Sequence, residues 1–280
     1  MMREISTQLV EETVCSLFLS ACCEIGSDVL GLLNAALDRE ESPFGREVLR
    51  QLIENDELAA RRRMPICQDT GMAVIFMEVG QDVHFTGGDI NEAIETGVRR
   101  AYREGCFRAS VLTPLGRVNT KDNTPAIVHT RIVPGDRVTL TAAPKGFGSE
   151  NMSRLFMLTP SQGVQGVKDA VVEAVRLAGG NPCPPVVVGV GIGGTAEYAM
   201  LMAKHSLTRE CGEPSPDPEL AAMERELLER INCLGIGPQG LGGRTTALAV
   251  HIEQMHTHIA GLPVAVNMQC HAARHKTAVI

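Results

Sequence analysis

The chain has 280 residues, 44% apolar and 21% charged, with a formal net charge of −7 at pH 7. That length suits one large or two modest domains with a substantial core, and the acidic balance argues against a general nucleic-acid surface, which is ordinarily basic. Aromatic residues make up only 3% and Trp is absent, so the core is expected to be built from Val, Leu, Ile, Ala and Met.

The first 63 residues read as helical. Leu9, Val10, Val14, Leu17 and Leu19 recur at near-helical spacing. Ser27 is placed to cap a second helix carrying Leu30, Leu32, Leu33 and Leu37. Pro43 fits the first turn of a third, ending at Arg61-Arg62-Arg63, where cations complement the helix dipole. Residues 73–79 form a short apolar run of strand character. Asp89 with Glu92 predicts a capped helix to about residue 104. Residues 126–133 and 137–143 read as strands joined by the Pro134-Gly135-Asp136 turn. An amphipathic helix is expected over 163–178, stopped by Gly179-Gly180. A buried strand follows at 185–190, then helices at 195–204 and 218–232, and short strands at 248–252 and 264–266. Strands and helices mix without a βαβ rhythm, which favours an α+β fold. The expected organisation is one domain over 1–280, with a helical segment at 1–63 and a mixed α/β region at 64–280.

Nine Cys at irregular spacing do not make a compact disulfide framework. The N-terminus alternates charges without an apolar core behind a basic start, and no window reaches the apolar length of a membrane span. A reduced cytoplasmic protein with no membrane partner is expected.

Three of the cysteines lie in polar, Pro- or Gly-bounded stretches: Cys67 in Pro65-Ile66-Cys67-Gln68-Asp69-Thr70-Gly71, Cys183 between Pro182 and Pro184, and Cys270 before His271. Three loop thiols can hold three irons of a cubane cluster and leave the fourth iron open, as a Lewis acid. A loop Cys that merely packs is the bland alternative for each. Zinc competes at Cys270, with His271 and His275 nearby, although no C-x-x-C pair is present. By contrast, Cys15, Cys22, Cys23 and Cys233 fall in helical stretches; Cys106 and Cys211 are undecided. Lys145-Gly146-Phe147-Gly148-Ser149-Glu150-Asn151 can form an anion-binding nest. Gly191, Gly193 and Ala196 match a dinucleotide fingerprint only loosely. His258 precedes a tight connection, and Arg108, Arg117 and Arg244 are isolated cations able to fork onto a carboxylate.

Taken together and in order, the segments 65–71, 119–125, 146–151, 181–185, 193–195 and 258–263 resemble the motifs of the α subunit of two-subunit class I fumarate hydratases and of the similar L-tartrate dehydratase α subunit. The resemblance covers essentially the whole chain and implies the α+β fold of the N-terminal domain of class I fumarases. It implies a [4Fe-4S] cluster held by Cys67, Cys183 and Cys270 with one open iron. Gln68, Asp69, Arg108, Gly146 or Gly148, and His258 match positions around the substrate, with Asp69 and His258 catalytic. Phe147 replaces a frequent Gly, and Ala273 a frequent Asp. The family's second domain, which brings a Thr base and cationic residues, has no counterpart here. A separate β subunit, an α2β2 assembly and a dicarboxylate substrate (fumarate/malate or L-tartrate) are therefore implied. A non-catalytic metal-binding or interaction subunit is the alternative of a different class.

Overall fold

The computed structural model describes residues 2–280. In chain order its elements are β1 (Arg3–Ser6), α1 (Thr7–Cys23), α2 (Ser27–Arg39), α3 (Pro43–Arg62), β2 (Met72–Gly80), β3 (Val83–Thr86), α4 (Ile90–Glu104), β4 (Ile127–Val133), β5 (Val138–Lys145), the single turn α5 (Phe147–Glu150), β6 (Arg154–Leu158), α6 (Gly163–Ala178), β7 (Val186–Gly194), α7 (Ala196–His205), α8 (Pro218–Asn232), β8 (Ala247–Thr257), β9 (Leu262–Gln269) and β10 (Lys276–Val279). The fold is α+β. Two units share these elements. One takes Met1–Ile25, Asp56–Phe147 and Arg274–Ile280; the other takes Gly26–Asn55 and Gly148–Ala273.

The first unit is built on a four-stranded sheet of order β10-β5-β2-β4. Ala73 to Met77 are all buried, the apolar run of a central strand. β2 accordingly pairs on both edges, parallel to β4 (Val74 with Ile127) and antiparallel to β5 (Val74 with Ala143). The strands expected to be joined by the Pro134-Gly135-Asp136 turn are thus not neighbours. The turn crosses the end of β2 at Gly80, where a Cβ would lie 2.4 Å from the Gly135 carbonyl oxygen. α1 and α4 cover the sheet, with Val10, Val14, Phe18, Ile94, Val98 and Tyr102 packed against Ile75 and Leu140. The helices cross closely at Gly97, where a Cβ would sit 2.7 Å from the Glu11 carbonyl oxygen. The expected Asp89 cap is present, accepting from the amides of Asn91 (2.8 Å) and Glu92 (3.0 Å). β1 pairs with β3 in a small parallel sheet.

The segment Thr7–Arg39 has the length and apolar composition of a membrane span, contrary to the sequence expectation. It is interrupted between α1 and α2, and Val10, Val14, Phe18 and Ala21 are buried, as in the core helix of a globular unit. Ser27 is the first residue of α2 rather than its cap; Gly26 holds that position without a side-chain bond.

The second unit carries a sheet of order β6-β9-β7-β8. α6 and α8 cover one face, with Val171, Leu227 and Ile231 against Val188, Val190, Val264 and Val266. α7 covers the other, with Ala199 and Ala203 on Ala265. α7 rests on the backbone of β7. A Cβ at Gly189 would lie 2.0 Å from the Ala203 carbonyl oxygen, and one at Gly191 would lie 2.1 Å from that of Ala199. The glycines that loosely match a dinucleotide fingerprint therefore lie in the second half of β7, where they admit a helix rather than a phosphate.

Candidate functional site

In the first unit the loop between α3 and β2 carries Cys67. The Ile66 amide donates to the Cys22 carbonyl at 3.0 Å, which pins the loop to the end of α1. The Tyr102 hydroxyl lies 2.8 Å from the Thr70 carbonyl oxygen and 3.1 Å from that of Gly71. Asn123 donates to the same Gly71 carbonyl at 3.1 Å, and its own carbonyl accepts from the amides of Ser110 and Val111. Thr70, 1% exposed, donates through its hydroxyl to the Arg108 carbonyl at 3.2 Å. Buried backbone polar groups need such partners, and here they hold the loop while leaving Cys67 partly exposed. The Cys67 thiol donates to Gln68 Oε1 at 3.0 Å.

Asp69, expected to be catalytic, has both carboxylate oxygens engaged by backbone. Oδ1 accepts from Gly71 N at 3.0 Å and Oδ2 from Phe147 N at 2.8 Å. The carboxylate ties the start of α5 to the Cys67 loop. Gly146 lies against it, since a Cβ there would stand 3.3 Å from Asp69 Oδ2. Gly71 has φ +76, and a Cβ would meet the Lys145 backbone at 2.7 Å. Only glycine fits that turn without displacing β5. Within the segment 145–151, which can form a nest by its sequence, residues 147–150 are one helical turn. Arg108 is exposed, and no ion pair of its guanidinium is found among the described residues.

In the second unit Cys183 and Cys270 meet at one end of the sheet. The antiparallel register pairs Val187 with Gln269, so the loop entering β7 and the residue leaving β9 are neighbours. The His271 amide donates to the Cys183 carbonyl at 3.3 Å. Cys183 adopts φ +55. Its loop is braced by Gln239, whose backbone and side-chain nitrogens both donate to the Pro184 carbonyl, at 2.7 and 3.0 Å. Gly180 and Gly240 touch back to back; a Cβ on Gly240 would lie 2.6 Å from the Gly180 Cα. Gly148 is exposed, 3.6 Å from the Asn181 carbonyl measured from a Cβ built on it.

His258 is not brought to this end. It lies on the turn between β8 and β9, its Nδ1 accepting from the Ala260 amide at 3.2 Å. The eight residues of β9 separate it from Cys270, roughly 26 Å at about 3.3 Å per residue.

None of the nine cysteines is in a disulfide, but they are not alike. Burial pushes the Cys22 thiol up to about 12, and does the same to Cys211. Cys67 and Cys270 are partly exposed and Cys183 is exposed. Soft thiolates suit iron, so the donor set fits an iron–sulfur group, although no three His, Cys, Asp or Glu side chains stand together as a metal-binding group among the described residues. The sequence reading missed Tyr102 and Arg274. Arg274, 4% exposed, donates through Nη2 to the Asp69 carbonyl. Its signal was present in Cys270-His271-Ala272-Ala273-Arg274-His275, which reads as a basic tail when its burial is unknown.

A family model described as fumarate hydratase (Fumerase) matches residues 11–279. The "Putative L(+)-tartrate dehydratase subunit alpha" of Methanocaldococcus jannaschii is 44% identical over 95% of this chain and 95% of its own length. The L(+)-tartrate dehydratase subunit alpha of Escherichia coli O157:H7 is 32% identical over 90% of this chain and 84% of its own. The protein of that name in Shigella sonnei is similar to the same degree.

Proposed function

The chain belongs to the fumarate hydratase family and is an enzyme of the hydro-lyase class, and from that premise we propose that it is the α subunit of a two-subunit enzyme that interconverts fumarate and L-malate. In this reading Cys67, Cys183 and Cys270 hold a [4Fe-4S] cluster, and a β subunit completes the site in an α2β2 assembly. The family match over 11–279 carries the reading; three loop thiols outside any disulfide support it. Nine cysteines, none in a disulfide, fit a reducing, cytoplasmic setting. When bound, the cluster would supply a Lewis acid at the iron that lacks a thiolate.

The chain's own residues would bind and orient. Arg108, exposed and without a carboxylate partner among the described residues, suits a forked contact to a substrate carboxylate. Gln68, exposed beside Cys67, offers an amide to a substrate oxygen. Asp69 acts by position, each carboxylate oxygen accepting one backbone amide, from Gly71 and from Phe147, which fixes Phe147 beside the Cys67 loop. The exposed backbone at Gly148 can approach a ligand closely because no side chain intervenes. Elimination removes a proton from the carbon beside a carboxylate as hydroxide leaves, and the base for that proton is assigned to the β subunit. His258 is not included in this set, because a strand's length separates it from Cys270.

One observation favours a second substrate. The relatives named above carry the name L(+)-tartrate dehydratase, including one at 44% identity, and L-tartrate differs from malate by one hydroxyl. Co-purification with the candidate β chain under anaerobic conditions, then assay with L-malate and with L-tartrate, decides. Turnover of either, lost in air and recovered with iron and thiol, is expected. Full activity after long aerobic handling with chelator would overturn the open-iron reading.

A further inference from the structure

Arg274 is a buried cation that the fold leaves incompletely paired. It is 4% exposed. Nη2 donates to the Asp69 carbonyl, while Nε and Nη1 have no hydrogen-bond partner among the described residues. No carboxylate pairs with it there. The Asp69 carboxylate is directed at the amides of Gly71 and Phe147. The Cys22 and Cys23 thiols and the Tyr102 hydroxyl feel Arg274, and burial raises all three, so they are neutral near pH 7 and offer it no counter-charge. A guanidinium carries five donors and is always charged. Left alone in the interior it is strongly unfavourable.

The place of this cation narrows what completes it. The carbonyl it holds is two residues past Cys67, and Arg274 itself is four residues past Cys270 in the chain. A group that is nearly inaccessible suits a resident anion better than an exchanging substrate. A cluster of thiolate-ligated iron and sulfide is such an anion, and hydrogen bonds to its sulfurs tune how it is held.

We propose that Arg274 is a positioning residue for the cluster: one guanidinium nitrogen fixes the loop after Cys67, and the remaining donors are completed by the anionic cluster. This rests on the cluster assignment made above. It assigns Arg274 to cofactor retention rather than to substrate.

The test uses the assembled enzyme, reconstituted anaerobically with iron and sulfide, as wild type, Arg274→Gln and Arg274→Lys. Iron per chain and the visible cluster absorbance are followed after addition of an iron chelator, with far-UV circular dichroism of each apo chain as the folding control. Arg274→Gln is expected to lose iron about tenfold faster or more, the scale of outer-shell changes at metal sites. Arg274→Lys should fold as wild type and lose iron at an intermediate rate, since an ammonium cannot reproduce the fork. Wild-type iron retention in both variants overturns the proposal, as does unchanged retention with a raised KM, which would give Arg274 to the substrate. If Arg274→Gln does not fold, Arg274→Lys decides alone: faster loss supports the proposal and wild-type retention overturns it. A wild-type enzyme that takes up no iron overturns the cluster reading first, and this inference with it.

Discussion

At the scale of single residues, one distinction orders the cysteines: those that line the core and those that stand on loops. Polar, Pro- and Gly-rich neighbours made the three loop thiols visible in the sequence, because such residues cannot be packed away. The surroundings of Asp69 were not visible. Its two amide donors come from Gly71 and from Phe147, 78 positions away, and only the folded chain brings the second one. The thiolate is the reactive form of cysteine. Iodoacetamide at pH 8 is therefore expected to modify Cys67, Cys183 and Cys270 of the folded apo chain, while Cys22 and Cys211, buried and raised to about 12, stay intact. Peptide mass spectrometry reads the result; early labelling of Cys22 would contradict the packing described for α1.

At the scale of elements, α4, α6 and α8 were legible to within a residue of their ends because their caps and periodicity are local. Asp89 accepts the expected amides, and Asp217 caps α8 in the same way. The second half of β7 was not legible. Its glycines look like a loop signal, and their cause is the backbone of α7 lying against them, a long-range fact. Gly191→Ala places a methyl 2.1 Å from the Ala199 carbonyl oxygen and is expected to destabilise the fold by roughly 2–3 kcal/mol, seen as a lower urea midpoint. A nucleotide-binding loop would instead show an affinity change at unchanged stability. A second element-level device is Glu40, 2% exposed, whose carboxylate accepts the amides of Glu41, Ser42, Arg244 and Thr245 and so ties the approach to β8 to the α2–α3 turn. Burial pushes this carboxyl up, and the four amides outweigh that and hold it below its usual range. A lowered folded pKa gives stability that is complete above the unfolded carboxylate range and lost as pH falls through the folded value. Glu40→Gln should therefore be about 2 kcal/mol less stable at pH 6, and the gap should close as the pH is taken to 3. Parallel urea curves at both pH values would contradict the clamp.

At the scale of the whole molecule, the α+β class and the order of its motifs were readable from the chain, while the sheet orders were not. β2 sits between β4 and β5 because its run from Ala73 to Met77 is buried, a property that ranks strands only after they compete for the centre. The loops bearing Cys67, Cys183 and Cys270 are braced by different residues: Tyr102, Asn123 and Arg274 for the first, Gln239 and His271 for the Cys183 loop beside Cys270. In the proposed function these three thiols hold one cluster. The most direct measurement is iron and sulfide content, with electron paramagnetic resonance, of the anaerobically reconstituted wild type and of Cys67→Ser, Cys183→Ser, Cys270→Ser and the control Cys106→Ser. About four irons and four sulfides per chain are expected in the wild type and the control, with loss of the cluster in each of the other three. A full cluster retained in any of those three, or a wild type that binds no iron, would contradict the three-thiolate cluster.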